Sequence, residues 1–100
     1  MNKCIAKVSD IPADQGLVVR LSDGNEIALF HCDGRVYALN NSCPHMQGPL
    51  GEGEVTAGTV TCPWHGWQFD IKSGDCINMP GESATCVTVN VENGLVYLET

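Results

Sequence analysis

The sequence has 100 residues, 43% of them hydrophobic, which suits one small domain with its own core, and we predict a single domain over residues 1–100. Twelve Asp and Glu against five Lys and Arg give a net charge of −7, and no basic stripe follows any segment. Nucleic acid and anionic membrane surfaces are therefore poor partners, whereas a basic patch on another protein would complement this charge.

The first eight residues contain two lysines but no apolar run long enough for a signal peptide or a membrane anchor. We therefore expect a cytoplasmic protein. Six cysteines would indicate a disulfide framework in a secreted chain, but that context is missing here. Four of them lie in or beside strand-like segments, and we expect small core residues, with a disulfide or a redox role as the alternative, at Cys4, Cys32, Cys76 and Cys86.

Turn dipeptides divide much of the chain into hairpins. Asp-Gly occurs at 23–24 and 33–34, and Asn-Gly at 93–94; both dipeptides tolerate the positive φ of tight turns. The predicted strands are Leu17–Leu21, Glu26–Cys32, Arg35–Asn40, Gly58–Thr61, Trp67–Ile71, Thr85–Glu92 and Leu95–Glu99. No segment of ten residues has a convincing helical period. The fold class is therefore all-β, as a small antiparallel sandwich or a partly open barrel.

Two short loops each present one cysteine and one histidine. The first reads Ser42-Cys43-Pro44-His45-Met46, and the second reads Thr61-Cys62-Pro63-Trp64-His65-Gly66. The glycine-rich segment between them has no helical period, so we expect the loops to fold back toward each other at one end of the scaffold and form one four-ligand site. Two thiolates and two imidazoles can hold a tetrahedral zinc, or a two-iron, two-sulfide cluster with both cysteines on one iron and both histidines on the other.

The spacing favours the cluster, because structural zinc sites usually place like ligands together, whereas each loop here carries one of each. The loops resemble the two cluster-binding boxes of the Rieske family, Cys43-Pro44-His45 and Cys62-Pro63-Trp64-His65-Gly66-Trp67. This resemblance implies one [2Fe-2S] cluster whose inner iron is bound by Cys43 and Cys62 and whose outer iron is bound by His45 and His65. A structural zinc module that mediates assembly is the alternative from a different class.

The resemblance extends over nearly the whole chain. The cluster-binding part is about 41–69, and Asn78-Met79-Pro80-Gly81 resembles the proline-bearing loop that covers the cluster from a third side. The residues expected in the apolar shell that excludes water from the cluster are Pro44, Met46, Leu50, Pro63 and Pro80.

The chain departs from the high-potential branch of the family at four positions. Gly48 and Trp64 replace the extra cysteines of that branch, and Trp67 and Phe69 replace a serine and a tyrosine that donate hydrogen bonds to sulfur. Fewer such hydrogen bonds stabilise the reduced cluster less, so we expect a reduction potential on the order of −150 mV. These features resemble a soluble Rieske-type ferredoxin.

The resemblance implies a one-electron carrier without catalytic residues of its own. Its donor would be a flavin or NAD(P)H-dependent reductase, and its acceptor a terminal oxygenase such as an aromatic-ring hydroxylating dioxygenase. The alternative is the small Rieske subunit of an assimilatory NAD(P)H-nitrite reductase, which would serve the large subunit of that enzyme. We interpret His31 as an ordinary strand histidine, and expect partner recognition rather than acid–base chemistry from Glu52, Glu54, Asp70 and Asp75.

Overall fold

The computed structural model describes residues 3–12, 15–21, 24–32, 34–41, 50–64, 66–78 and 81–98. Over these residues the regular structure consists of β-strands and two 3-10 turns, Val8–Asp10 and Leu50–Glu52. The strands are β1 Lys3–Lys7, β2 Leu17–Arg20, β3 Glu26–Cys32, β4 Arg35–Asn40, β5 Glu54–Thr56, β6 Thr59–Thr61, β7 Gln68–Asp70, β8 Cys86–Val87, β9 Val89–Glu92 and β10 Leu95–Leu98. The predicted all-β class is confirmed.

The strands form three antiparallel sheets, none of which closes into a barrel. A terminal sheet has the order β1-β10-β9, a central sheet the order β2-β3-β4-β8, and a small sheet the order β5-β6-β7. The hairpins predicted at 23–24, 33–34 and 93–94 are the β2–β3, β3–β4 and β9–β10 pairs. No helix in the described parts of the chain is long and apolar enough to cross a membrane.

The central sheet is buried on both faces. In β3, Ala28 and Phe30 point into one hydrophobic cluster, and Ile27 and Leu29 point into another. The first cluster lies between the central and small sheets and includes Leu39, Leu50, Val60, Cys62, Phe69 and Ile71. The second is completed from the terminal sheet by Val96. Four consecutive apolar residues in β3 are what a strand covered on both faces requires.

The prediction of one strand over 85–92 is wrong. Cys86 pairs with Leu39 of β4, whereas Val89 pairs with Leu98 of β10, so the chain leaves the central sheet for the terminal sheet at Thr88. The two halves pair with different strands. Valine alternates with polar residues across the switch, at Val87, Val89 and Val91, so the sequence pattern does not reveal the change of partner. Val91, which alternates with polar residues as Val87 and Val89 do, is 48% exposed.

The prediction that the four non-ligand cysteines are core residues is only partly correct. Cys76 is buried and Cys32 is half-buried, but Cys4 and Cys86 are exposed. Both exposed cysteines lie in strands at the edges of their sheets, β1 and β8, where fewer residues cover the side chain. All four are free thiols, and no disulfide joins them.

Candidate metal centre

The second Cys/His loop is a closed turn at the end of the β6–β7 hairpin. Cys62 directly follows β6, and its backbone N–H donates to the carbonyl oxygen of Trp67 at 2.8 Å. The N–H of Gly66 donates back to the carbonyl oxygen of Cys62 at 3.0 Å. Gly66 has a φ of +79°, a conformation that side chains disfavour, which accounts for glycine after the histidine of the box.

Within this turn, the cysteine points inward and its neighbours point outward. Cys62 is only 1% exposed and belongs to the cluster between the central and small sheets, whereas Pro63 is exposed and Trp64 is 62% exposed. This burial agrees with the inner position predicted for Cys62. Of the predicted shell residues that the structure describes, Pro63 is exposed and Leu50 is fully buried.

Asn41 and Leu50 enclose the segment that carries the first loop. The N–H of Leu50 donates to the carbonyl oxygen of Asn41 at 2.8 Å, so the ends of residues 42–49 are one hydrogen bond apart. The predicted ligands Cys43 and His45 lie in that segment, outside the described residues, as does His65 in the second loop. The predicted shell residues Pro44, Met46 and Pro80 also lie outside the described residues.

The side chain of Asn41 provides a second closure that the sequence did not reveal. It is 6% exposed; its Oδ1 accepts from the N–H of Gly51 at 2.7 Å, and its Nδ2 donates to Oε1 of Glu26 at 3.2 Å. The only sequence signal for this role is an asparagine two residues before the first box, followed ten residues later by a glycine.

Close packing explains two of the glycines between the boxes. A Cβ at Gly51 would lie 2.6 Å from Cγ2 of Val18 in the central sheet. A Cβ at Gly53 would collide with the carbonyl oxygen of Thr61 in β6. At these two positions the chain packs against the central sheet and against the strand that leads into the second box, because the absence of side chains lets the backbone approach.

A third segment packs against the return limb of the second loop. The N–H of Ile77 donates to the carbonyl oxygen of Gln68 at 2.7 Å, and the N–H of Gln68 donates to Oδ1 of Asn78 at 3.1 Å. Nδ2 of Asn78 donates to the carbonyl oxygen of Gly66 at 3.2 Å. The predicted covering loop thus begins against the second box; its Met79 and Pro80 lie outside the described residues.

Two aromatic side chains follow the second box. Phe69 is fully buried and Trp67 half-buried, with ring centroids 6.5 Å apart and ring planes tilted by 47°. Neither ring carries a hydroxyl group, so these positions add packing where a serine and a tyrosine would add hydrogen-bond donors.

One of the predicted recognition carboxylates has a local structural role. Oδ1 of Asp70 accepts from the N–H groups of Lys72 and Ser73, at 2.8 and 3.3 Å, and so fixes the turn after β7. The other three are exposed at Glu52, Glu54 and Asp75. His31 lies in β3, and its side chain is exposed.

The surroundings of Cys62 fit a ligand of an iron–sulfur cluster. A buried thiol at the end of a hairpin, in an apolar cluster and in a turn closed by two hydrogen bonds, suits a thiolate that must be shielded from water. Elsewhere among the described residues, no three His, Cys, Asp or Glu side chains converge to hold a metal. The remaining described cysteines therefore provide no competing centre.

The family model for the Rieske [2Fe-2S] domain matches residues 1–93. This chain belongs to the Rieske family. Members of that domain family carry one [2Fe-2S] cluster, so the cofactor predicted from the sequence is confirmed at the level of the family.

Two curated relatives agree with this family. The 3-phenylpropionate/cinnamic acid dioxygenase ferredoxin subunit of Escherichia coli (strain K12) is 33% identical over 102 residues, which cover 99% of this chain and 94% of that protein. Apoptosis-inducing factor 3 of Homo sapiens is 36% identical over 95 residues, covering 94% of this chain. The chain spans only 16% of the length of that second protein.

Three solved structures show the same fold. The ferredoxin of Sphingomonas yanoikuyae B1 superposes with a TM-score of 0.91 at 24% identity, covering 100% of this chain and 99% of that one. A nitrite reductase NADPH small-subunit protein superposes with a TM-score of 0.86 at 22% identity, covering 100% of this chain and 99% of that one. A chain from the complex of reduced oxygenase and oxidized ferredoxin in carbazole 1,9a-dioxygenase superposes with a TM-score of 0.87 at 23% identity, covering 97% of this chain and 100% of that one.

Proposed function

We propose that this Rieske protein is a one-electron carrier that serves a ring-hydroxylating oxygenase. The observation that carries the proposal is the second box, where a fully buried Cys62 lies two residues from a Trp64 that is 62% exposed. This arrangement would shield one side of a bound cluster and leave the other side accessible to a partner. When bound, a Rieske cluster stores and releases one electron.

We propose that Cys43 and Cys62 bind the inner iron and that His45 and His65 bind the outer iron. The burial of Cys62 supports its position on the inner side. The residues next to His65 in the chain, Trp64 and Gly66, are both exposed, which supports a histidine at the accessible side. The hydrogen bonds between Cys62, Gly66 and Trp67 would hold both ligands of this loop in a fixed relation.

The surface beside the second box suits brief docking. Two large apolar side chains are exposed there, Trp64 at 62% and Ile77 at 54%. The segments that carry them are held together by the hydrogen bonds that the covering segment makes to Gln68 and Gly66. Single exposed apolar groups of this kind add contact area without the large hydrophobic patch of a permanent complex. The net charge of −7 would speed encounter with a basic partner surface.

The relatives support the choice of acceptor. The Escherichia coli relative, named a dioxygenase ferredoxin subunit, is 33% identical and is matched over 94% of its length. We propose a terminal oxygenase as the acceptor and a flavin or NAD(P)H-dependent reductase as the donor. We also propose a cytoplasmic location, because the free thiols at Cys4, Cys32, Cys76 and Cys86 suit a reducing compartment.

Metal analysis and spectroscopy of the purified protein test the proposal. We expect two irons and two sulfides per chain, a red-brown colour, and on reduction the rhombic electron paramagnetic resonance signal of a mixed-valence cluster with imidazole on one iron. A colourless protein that holds stoichiometric zinc and no iron would refute the electron-carrier function and favour the assembly module.

The small subunit of a nitrite reductase is the second candidate, since such a protein superposes over the whole chain with a TM-score of 0.86. Single-turnover transfer separates the two candidates. The reduced protein is mixed with a ring-hydroxylating oxygenase or with a sirohaem nitrite reductase, and its reoxidation is followed optically. Faster reoxidation by the oxygenase supports our choice, and faster reoxidation by the nitrite reductase overturns it.

A further inference from the structure

We infer that Asn78 is a positioning residue for the cluster, acting through the backbone next to His65; this inference rests on the proposed function. Three hydrogen bonds determine how the side-chain amide of Asn78 is oriented. Oδ1 accepts from the N–H of Gln68 at 3.1 Å and from Sγ of Cys76 at 3.4 Å, and Nδ2 donates to the carbonyl oxygen of Gly66 at 3.2 Å. The reversed amide would face donors with its NH2 group and a carbonyl with its oxygen, so the network allows one orientation.

The amide spans two consecutive peptide groups of the second loop. The carbonyl of Gly66 belongs to the peptide that joins it to Trp67, and the N–H of Gln68 belongs to the next peptide. The backbone N–H of Ile77 then binds the carbonyl of Gln68 at 2.7 Å. Asn78 therefore extends the pairing of the covering segment by one step beyond β7, toward the second box.

Gly66 is consequently held from both sides. Its N–H donates to the carbonyl of Cys62 at 3.0 Å, and its C=O accepts from Asn78. Its φ of +79° is readily available to glycine, and the two hydrogen bonds select this conformation from the others that glycine can adopt. Because Gly66 directly follows His65, fixing its two peptide groups fixes the direction in which the backbone leaves the histidine. Outer groups that orient a metal ligand in this way influence both the stability and the potential of the centre.

Two substitutions separate the parts of this network. Asn78→Leu removes the donor and the acceptor at similar volume, whereas Asn78→Asp keeps an acceptor for Gln68 but loses the donor and places a negative charge next to the carbonyl of Gly66. The matched controls are Asn90→Leu and Asn90→Asp, because Asn90 is an exposed asparagine in β9 of the terminal sheet.

The holoprotein is measured in three ways: reduction potential by voltammetry, the resonance signal of the reduced cluster, and the rate of bleaching by an iron chelator. We expect Asn78→Leu to broaden the rhombic signal and to speed bleaching about fivefold. The loop must open before iron leaves, and each of the two exposed hydrogen bonds from Asn78 to the loop slows that opening roughly twofold to threefold. We expect Asn78→Asp to lower the potential, because added negative charge favours the oxidised cluster. Both Asn90 variants should match the wild type in signal shape and bleaching rate.

The inference would be overturned if both Asn78 variants kept the wild-type potential, signal shape and bleaching rate. A lower thermal midpoint alone would not support it, because loop packing by itself predicts a loss of stability without a change at the cluster. Should Asn78→Leu hold no cluster, the comparison of Asn78→Asp with Asn90→Asp decides. Failure of the proposed function is distinguishable, because it would appear as zinc in place of iron in the wild type.

Discussion

Replacing Asn41 with alanine tests whether the first cluster-binding loop depends on a side-chain closure. The substitution removes the acceptor for the N–H of Gly51, which lies 2.7 Å from Oδ1 and is buried. Leaving a buried N–H without a partner costs about 2 kcal/mol. Loss of the 3.2 Å bond to Glu26 adds about 0.5 kcal/mol, because that carboxylate belongs to an exposed residue and regains water. At roughly 4–8 °C per kcal/mol for a domain of this size, Asn41→Ala should lower the midpoint by about 10–20 °C.

Thermal unfolding of the holoprotein, followed by circular dichroism, measures this loss, and the visible absorbance reports on the cluster in the same scan. Asn90→Ala is the matched control, because it removes an exposed asparagine side chain from β9. Glu26→Gln retains an acceptor for Nδ2 of Asn41 and should stay within about 0.5 kcal/mol of the wild type. If Asn41→Ala and Asn90→Ala had the same midpoint, the N–H of Gly51 would have found another partner, and the closure by Asn41 would not stabilise the loop.

Three further predictions concern the ligand set, the close backbone contact at Gly53 and the potential. Cys62→Ser should abolish the visible spectrum and the bound iron, whereas serine should leave both in place at Cys4, Cys32, Cys76 and Cys86; loss of the spectrum in one of those four would show that the ligand set is wrong. In urea unfolding, Gly53→Ala should lower the free energy of unfolding more than Gly24→Ala. The new Cβ at position 53 would collide with a backbone carbonyl, whereas the strain at position 24 comes only from its φ of +90°. Equal losses would mean that the backbone at Gly53 moves away easily. Trp67→Ser combined with Phe69→Tyr should raise the reduction potential in voltammetry by adding donors to sulfur, and a lower potential would contradict that mechanism.

Much of the fold could be predicted because its signals are local. Asp-Gly and Asn-Gly specify tight turns from two adjacent residues, and the flanking apolar residues then define the strands. The switch at Thr88 could not be predicted in this way. Whether a strand continues in one sheet or joins another depends on which partner lies beside it, and the alternation of Val87, Val89 and Val91 is the same in both cases.

The site was predictable in its chemistry but not in its supports. Cysteine and histidine at short spacing predict the type of donor set, because few other side chains bind iron or zinc in this way. Asn41 and Asn78 carry no comparable signal, since each acts on backbone groups ten or more positions away along the chain. The general tendency of free cysteine to be buried also predicted the position of Cys86 wrongly. Its segment has a composition that suits a core, but it forms an edge strand, which leaves the side chain exposed.

The β4–β8 pairing also makes the cluster-bearing part of the chain suitable for exchange between proteins. The N–H of Asn40 donates to the carbonyl of Thr85 at 2.8 Å, so residues 41–84 leave and re-enter the central sheet at neighbouring positions. A segment with adjacent ends can be replaced by its counterpart from a relative without moving the strands on either side. The recipient would need a matching surface at Ala28, Phe30 and Leu39, since these buried side chains are what the central sheet contributes to the cluster between it and the small sheet. Chimaeras built at these two junctions would transfer a cluster environment from one scaffold to another as a unit.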